Sequence, residues 1–189
     1  MADTRLNTFE SLPLLGDIQI SAGVASNGYP SFYHVYIPGS ISFNTLAMIG
    51  SFNIGATNSL SFSFGLYSLT GGTLSLANSG SFSTGGVTGF SWITFGTSAN
   101  QDITPGDWWF ALQRSRNLAG ASFSFVACDP YSNDPNNGGI VAQGIFARGV
   151  YTVTSAGMVN SVATSAMSKE GIGALPAGHG IHPYIVISA

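Results

Sequence analysis

Charge is scarce in this chain. Asp, Glu, Lys and Arg together make up 7% of its 189 residues, against about 25% in an ordinary soluble domain. None of the four occurs between Ile18 and Gln101. The surface must take its solubility from Ser, Thr and Asn, and it gains little from charge repulsion. Partners or sister subunits are therefore expected to cover much of it. The five basic residues, Arg5, Arg114, Arg116, Arg148 and Lys169, are scattered, and the net charge is −3. Nucleic-acid binding needs clustered Lys and Arg to neutralise phosphates, so that class is excluded. Arg114 and Arg116 read as a solvated strand end.

Cysteine is nearly absent too. Cys128 stands alone, so no intrachain disulfide can form. It reads as a small buried apolar residue, since the neighbouring Asp129 works against a reactive thiolate. No run of 18 apolar residues exists, which rules out a transmembrane helix. The first 17 residues carry Asp3 and Glu10 and no continuous apolar stretch, which is not the pattern of a signal peptide.

What the chain does have is alternation. In Leu60-Ser61-Phe62-Ser63-Phe64-Gly65-Leu66 the apolar residues fall at every second position, so one face packs and a serine face looks outward. Ser122-Phe123-Ser124-Phe125-Val126 repeats the pattern. Further strands are expected at Asp17–Val24, Phe32–Ile37, Leu46–Ile54, Thr73–Ala77, Phe90–Phe95, Trp108–Arg114, Arg148–Thr154 and Pro183–Ile187. Thr70-Gly71-Gly72-Thr73 sits between two such runs and predicts a hairpin. Thr84-Gly85-Gly86 and Thr104-Pro105-Gly106-Asp107 predict further turns. Ser155–Lys169 reads as strand plus loop with room for a short helix. Many short strands with regular turns imply an all-β antiparallel sandwich over residues 17–189, preceded by an extended N-terminal arm at 1–16 that either docks on a neighbour or a platform, as an anchor or oligomer contact, or is a disordered tail.

Catalytic motifs are missing: there is no G-x-S-x-G, H-E-x-x-H or C-x-x-C. Two carboxylate pairs, Asp102 with Asp107 and Asp129 with Asp134, flank turns and are the places where a glycosidase-like pair would sit. In a chain so poor in acid and base groups they read as turn residues, and no enzyme is expected. His179 and His182 straddle Gly180 and could offer two metal ligands. Metal sites want three or four, so a surface loop is the reading. The Asp129–Asp134 stretch of a longer Asn-rich loop carries hard oxygen ligands suited to Ca²⁺ without the EF-hand spacing. It reads as a loop shaped by Pro130 and Pro135, with no cofactor expected.

Aromatic residues are abundant. In Trp108-Trp109-Phe110, Trp108 and Phe110 share one face and Trp109 takes the other. One tryptophan is thus left to stack on a sugar, to pack under a second layer or to fill a subunit interface. Trp109, Tyr131 and Tyr29 are the candidate contact residues, with Tyr33 and Tyr36 as further surface candidates.

Leu60 to Leu112 resembles a recurring jelly-roll-type module. The matching residues are Phe64-Gly65-Leu66-Tyr67-Ser68, the Gly71-Gly72 turn, Ser91-Trp92-Ile93 and Thr104-Pro105-Gly106-Asp107-Trp108-Trp109-Phe110-Ala111-Leu112. Such modules occur in tail-fibre, spike and other virion proteins of tailed phages, and in some extracellular β-sandwich modules. The motifs are structural and carry over no site residue. The resemblance implies a non-enzymatic virion protein, either a fibre or spike head at the host surface or a capsid decoration, with a homotrimer favoured. The competing expectation is a carbohydrate-binding module with an exposed aromatic platform that includes Trp109. An outer-membrane barrel fits less well, because the alternation puts serines outward.

Overall fold

The structure, a computed structural model, describes residues 8–10, 18–22, 29–37, 39–54, 59–86, 88–114, 122–128, 150–153, 157–170, 182–183 and 185–188. Over these residues the fold is all-β, in two antiparallel sheets. The first sheet holds β1 (Thr8–Glu10), β2 (Ile18–Ala22), β4 (Ile41–Asn53), β7 (Thr88–Ile103), β9 (Ser122–Cys128), β13 (His182–Pro183) and β14 (Ile185–Ser188). The second holds β3 (Ser31–Ile37), β5 (Ser59–Thr70), β6 (Thr73–Gly85), β8 (Gly106–Arg114), β10 (Val150–Val153), β11 (Ser161–Ala163) and β12 (Met167–Glu170). One turn of 3₁₀ helix, Thr164–Ala166, separates the last two.

The pairings are nested. β5 pairs with β6, β4 with β7, β3 with β8 and β2 with β9. A long antiparallel hairpin has been wound so that alternate rungs fall in opposite sheets, which is the jelly-roll arrangement. Its tip is the turn at Gly71 and Gly72, with φ of 57° and 79° between the paired Thr70 and Thr73. Two successive positive φ values match the twist of the flanking strands and strongly favour glycine. Within the segment expected to be an arm, Thr8–Glu10 pairs with β14 at the edge of the first sheet.

The main core lies between the sheets. Leu60, Phe62, Phe64 and Leu66 of β5 face Leu46 and Met48 of β4 and Ile93 and Phe95 of β7, with Tyr33, Phe110 and Leu112 alongside. Full burial of each such side chain contributes about 1.5–3 kcal/mol. The apolar side chains point inward, the reverse of a transmembrane barrel, whose apolar band faces lipid.

A second, smaller core lies on the outer face of the second sheet. The segment Gly157–Met167 closes that face as a strap: Met158 and Val159 pack over it, Ser161–Ala163 joins the sheet as edge strand β11 beside β6, and Met167 opens β12 beside β10 at the opposite edge. Val162, Met158, Val159 and Met167 pack there on Phe32, Tyr67, Leu74, Ala111 and Val153. Backbone bonds fasten it: Leu76 N–H donates to the Asn160 carbonyl at 2.9 Å, and Thr164 N–H to the Gly72 carbonyl at 2.9 Å. The Thr164 hydroxyl donates to the same Gly72 oxygen at 3.0 Å. The Tyr67 hydroxyl reaches up through the layer to the Val159 carbonyl at 2.8 Å.

Candidate functional site

Two outward-facing regions gather side chains that could meet a partner. The first is at the rim of the strap. His34 and Trp109 are directly opposite on β3 and β8, with rings 5.2 Å apart. His34 Nε2 lies 2.8 Å from Asp107 Oδ1. Trp109 does leave the main core, as its parity requires, and the layer it meets belongs to the chain itself: it packs half-buried against the second core. Of the three uses open to it in the sequence, packing under a second layer is the one observed. Trp108 faces inward, and its indole N–H donates to the Thr104 carbonyl at 2.8 Å, tying down the Thr104-Pro105-Gly106 turn. Tyr29 is half-buried just ahead of β3. Tyr33, expected at the surface, is 1% exposed and belongs to the main core. Phe32 and Tyr33 are adjacent aromatics on opposite faces, and both faces of β3 are covered here. Tyr131, the Asp129–Asp134 loop and His179 lie outside the described residues.

Asp102 and Asp107 are both exposed, at either end of the turn between β7 and β8. They stand at strand ends, not across a cleft. Among the described residues no group of three or more His, Cys, Asp or Glu is placed to hold a metal ion. An apolar void of about 10 Å³ lies between the sheets, lined by Tyr33, Leu46, Met48, Phe64, Phe95, Phe110, Ala111 and Leu112. It has room for about one water and for no larger ligand.

The second region was not anticipated. On β7, Ile93 and Phe95 point into the core, so Phe90, Trp92 and Thr94 point out. Phe90 is 61% exposed and Trp92 52%. Trp92 stands opposite Ile49 of β4, and Thr94 opposite Ala47, so the aromatic pair continues into an apolar strip across both strands. Thr88 and Asn53, a cross-strand pair, are exposed at one end. Phe90 and Trp92 lie about 7 Å apart along the strand, as alternate residues do. The outer face of the second sheet is closed by the strap, whereas these rings open to solvent. The sequence signal is divided here: Phe90-Ser91-Trp92 points to the even positions as the core face and Ile93-Thr94-Phe95 to the odd ones, so spacing alone does not choose between them.

No protein-family model matches the chain, and no curated protein sequence matches it. Its functional reading therefore rests on its own geometry and on the module-like motifs of Leu60–Leu112.

Proposed function

We propose that this chain is a non-enzymatic virion structural protein of a tailed phage, carried on the particle surface as a fibre or spike head or as a capsid decoration. The observation that carries the reading is the exposed Phe90–Trp92 strip, which lies in a stretch of β4 and β7 without Asp, Glu, Lys or Arg. A contiguous exposed apolar patch rimmed by hydroxyls and amides marks a surface built to be covered. The nested β-sandwich and the module-like Leu60–Leu112 stretch suit a rigid head that packs against other proteins. In the fibre or spike role the same head meets the host surface.

The test is the composition of the particle. Antibody raised against the purified chain should decorate intact particles released from the culture whose genome encodes it, and its peptides should be found in purified particles in structural amounts. Particles free of the chain would overturn the reading. One observation favours a second reading, a carbohydrate-binding module: two exposed rings on one strand face, flanked by Thr88 and Thr94, offer a platform on which a sugar ring could stack. Glycan binding by a monomer that is lost in Trp92→Ala would favour that alternative.

A further inference from the structure

We infer that the outer face of β4 and β7, centred on Phe90 and Trp92, is where a second copy of this chain docks. The inference rests on the assembly reading above and names the partner of the same surface.

The argument for a copy, and not a foreign partner, is electrostatic. Both strands up to Gln101 lie inside the stretch that contains no Asp, Glu, Lys or Arg. The only charged residue of the two strands is Asp102, opposite Ser42 at the far end of the ladder from Phe90. Complementary charge is a principal means of selecting and steering a foreign partner, and this stretch offers none to complement. Nucleic acid, an anionic membrane or a charged protein patch would gain nothing here. A copy of the same face is matched to it automatically. In a symmetric pair the same patch meets itself, and where charge is present that juxtaposes like with like. Here neutral residues meet neutral residues at no such cost.

The composition fits as well. Interface cores are depleted of charge and enriched in aromatic residues, with a polar rim. Phe90 and Trp92 supply the anchors, Ile49 and Ala47 the flanking apolar area, and Thr88, Thr94 and Asn53 the rim. Docking a copy would bury the two largest exposed aromatic side chains among the described residues.

The test is sedimentation velocity of the full chain over a range of concentrations, beside a Phe90→Asp/Trp92→Asp variant. Four carboxylates then face one another across a two-copy contact. We expect the unmodified chain to sediment as an oligomer and the variant as a monomer, with association weakened at least about a hundredfold. Leu69→Asp, at an exposed apolar residue of β5 in the other sheet, should leave the mass unchanged. Both rings are more than half exposed, so the fold should survive, as far-UV circular dichroism would confirm. If the Asp variant misfolds, Phe90→Ser/Trp92→Ser removes the anchors without adding charge and must still weaken association. An oligomer unaffected by any of these variants would overturn the proposed face while leaving the virion reading intact. A wild-type chain that stays monomeric would overturn it also, and decoration of particles by antibody would then decide the virion reading separately.

Discussion

Gly80→Ala puts one methyl group against the ring of Phe64 on the neighbouring strand of the second sheet. Gly80 on β6 stands opposite Phe64 on β5. A Cβ built there falls onto the Phe64 ring at Cε1, with Cδ1 and Cζ each 3.1 Å away. The ring has nowhere to go. Phe64 is 1% exposed, its ring centroid is 4.8 Å from that of the fully buried Phe95, and the void beside them is only about 10 Å³. Overpacking of this kind costs about 1–3 kcal/mol. Gly80 has no positive φ, so alanine suits the backbone, and replacing a strand glycine returns about 0.5–1 kcal/mol. The net loss is about 1.5 kcal/mol, which lowers the melting temperature of a domain this size by about 3–6 °C. Scanning calorimetry at one fixed protein concentration reads it, since association would shift the midpoint. Gly96→Ala is the control: its Cβ meets nothing within 4 Å, and the midpoint should hold or rise. A Gly80→Ala protein as stable as the parent would refute the packing of Phe64 described above.

Tyr67→Phe deletes the bond to Val159 that holds the strap, and should cost about 1 kcal/mol in a urea or thermal titration while loosening hydrogen-exchange protection of Val162 and Thr164. Burial raises the Tyr67 hydroxyl above the ordinary phenol value of 10.0. The unfolded chain therefore gives up this proton first as pH rises, and the associated stability is complete below about pH 10 and is lost above it. The alkaline loss should be shallower in Tyr67→Phe when unfolding is followed from pH 8 to 11. Phe64→Ala empties the centre of the main core and should cost about 3–5 kcal/mol by denaturant titration. Asp107→Asn should change stability by less than about 1 kcal/mol in the same assay, because its partner His34 meets it at an exposed carboxylate.

Much of the fold was legible wherever apolar residues occupied one parity only. Leu60-Ser61-Phe62-Ser63-Phe64 names its strand and its buried face, and Thr70-Gly71-Gly72-Thr73 names its turn, because glycine accepts without strain the φ values found there. The T-P-G-D turn and the split of Trp108 from Trp109 follow from local chemistry in the same way. Strand lengths were less legible. β4 begins at Ile41, five residues before the expected Leu46, and β7 runs on to Ile103. The register explains why: Phe43 pairs with Gln101 but Thr45 with Gly96, so residues 97–100 of β7 bulge opposite Asn44, and the period-two pattern breaks. β6 continues to Gly85 through a stretch of Asn, Ser, Thr and Gly in which Phe82 is the one large apolar residue, too little to show a period.

The candidate site was hardest where both parities are apolar. Phe90, Trp92, Ile93 and Phe95 sit on both faces of one strand, and only pairing of Ile93 with Met48 and Phe95 with Leu46 sends the first two outward. Trp109 was placed on the correct face of β8. What sequence spacing could not supply was the strap, which returns from 157–167, some fifty residues later in the chain, to cover that face. Long-range covering of this kind leaves no local periodicity.

The central claim is that this chain works by assembling, and its solution mass tests that most directly. Light scattering of the 189-residue chain, with and without residues 1–16, is predicted to give a stable oligomer whose mass does not fall on dilution through the micromolar range. A species of 19.5 kDa at every concentration, with Phe90 and Trp92 open to solvent, would contradict it.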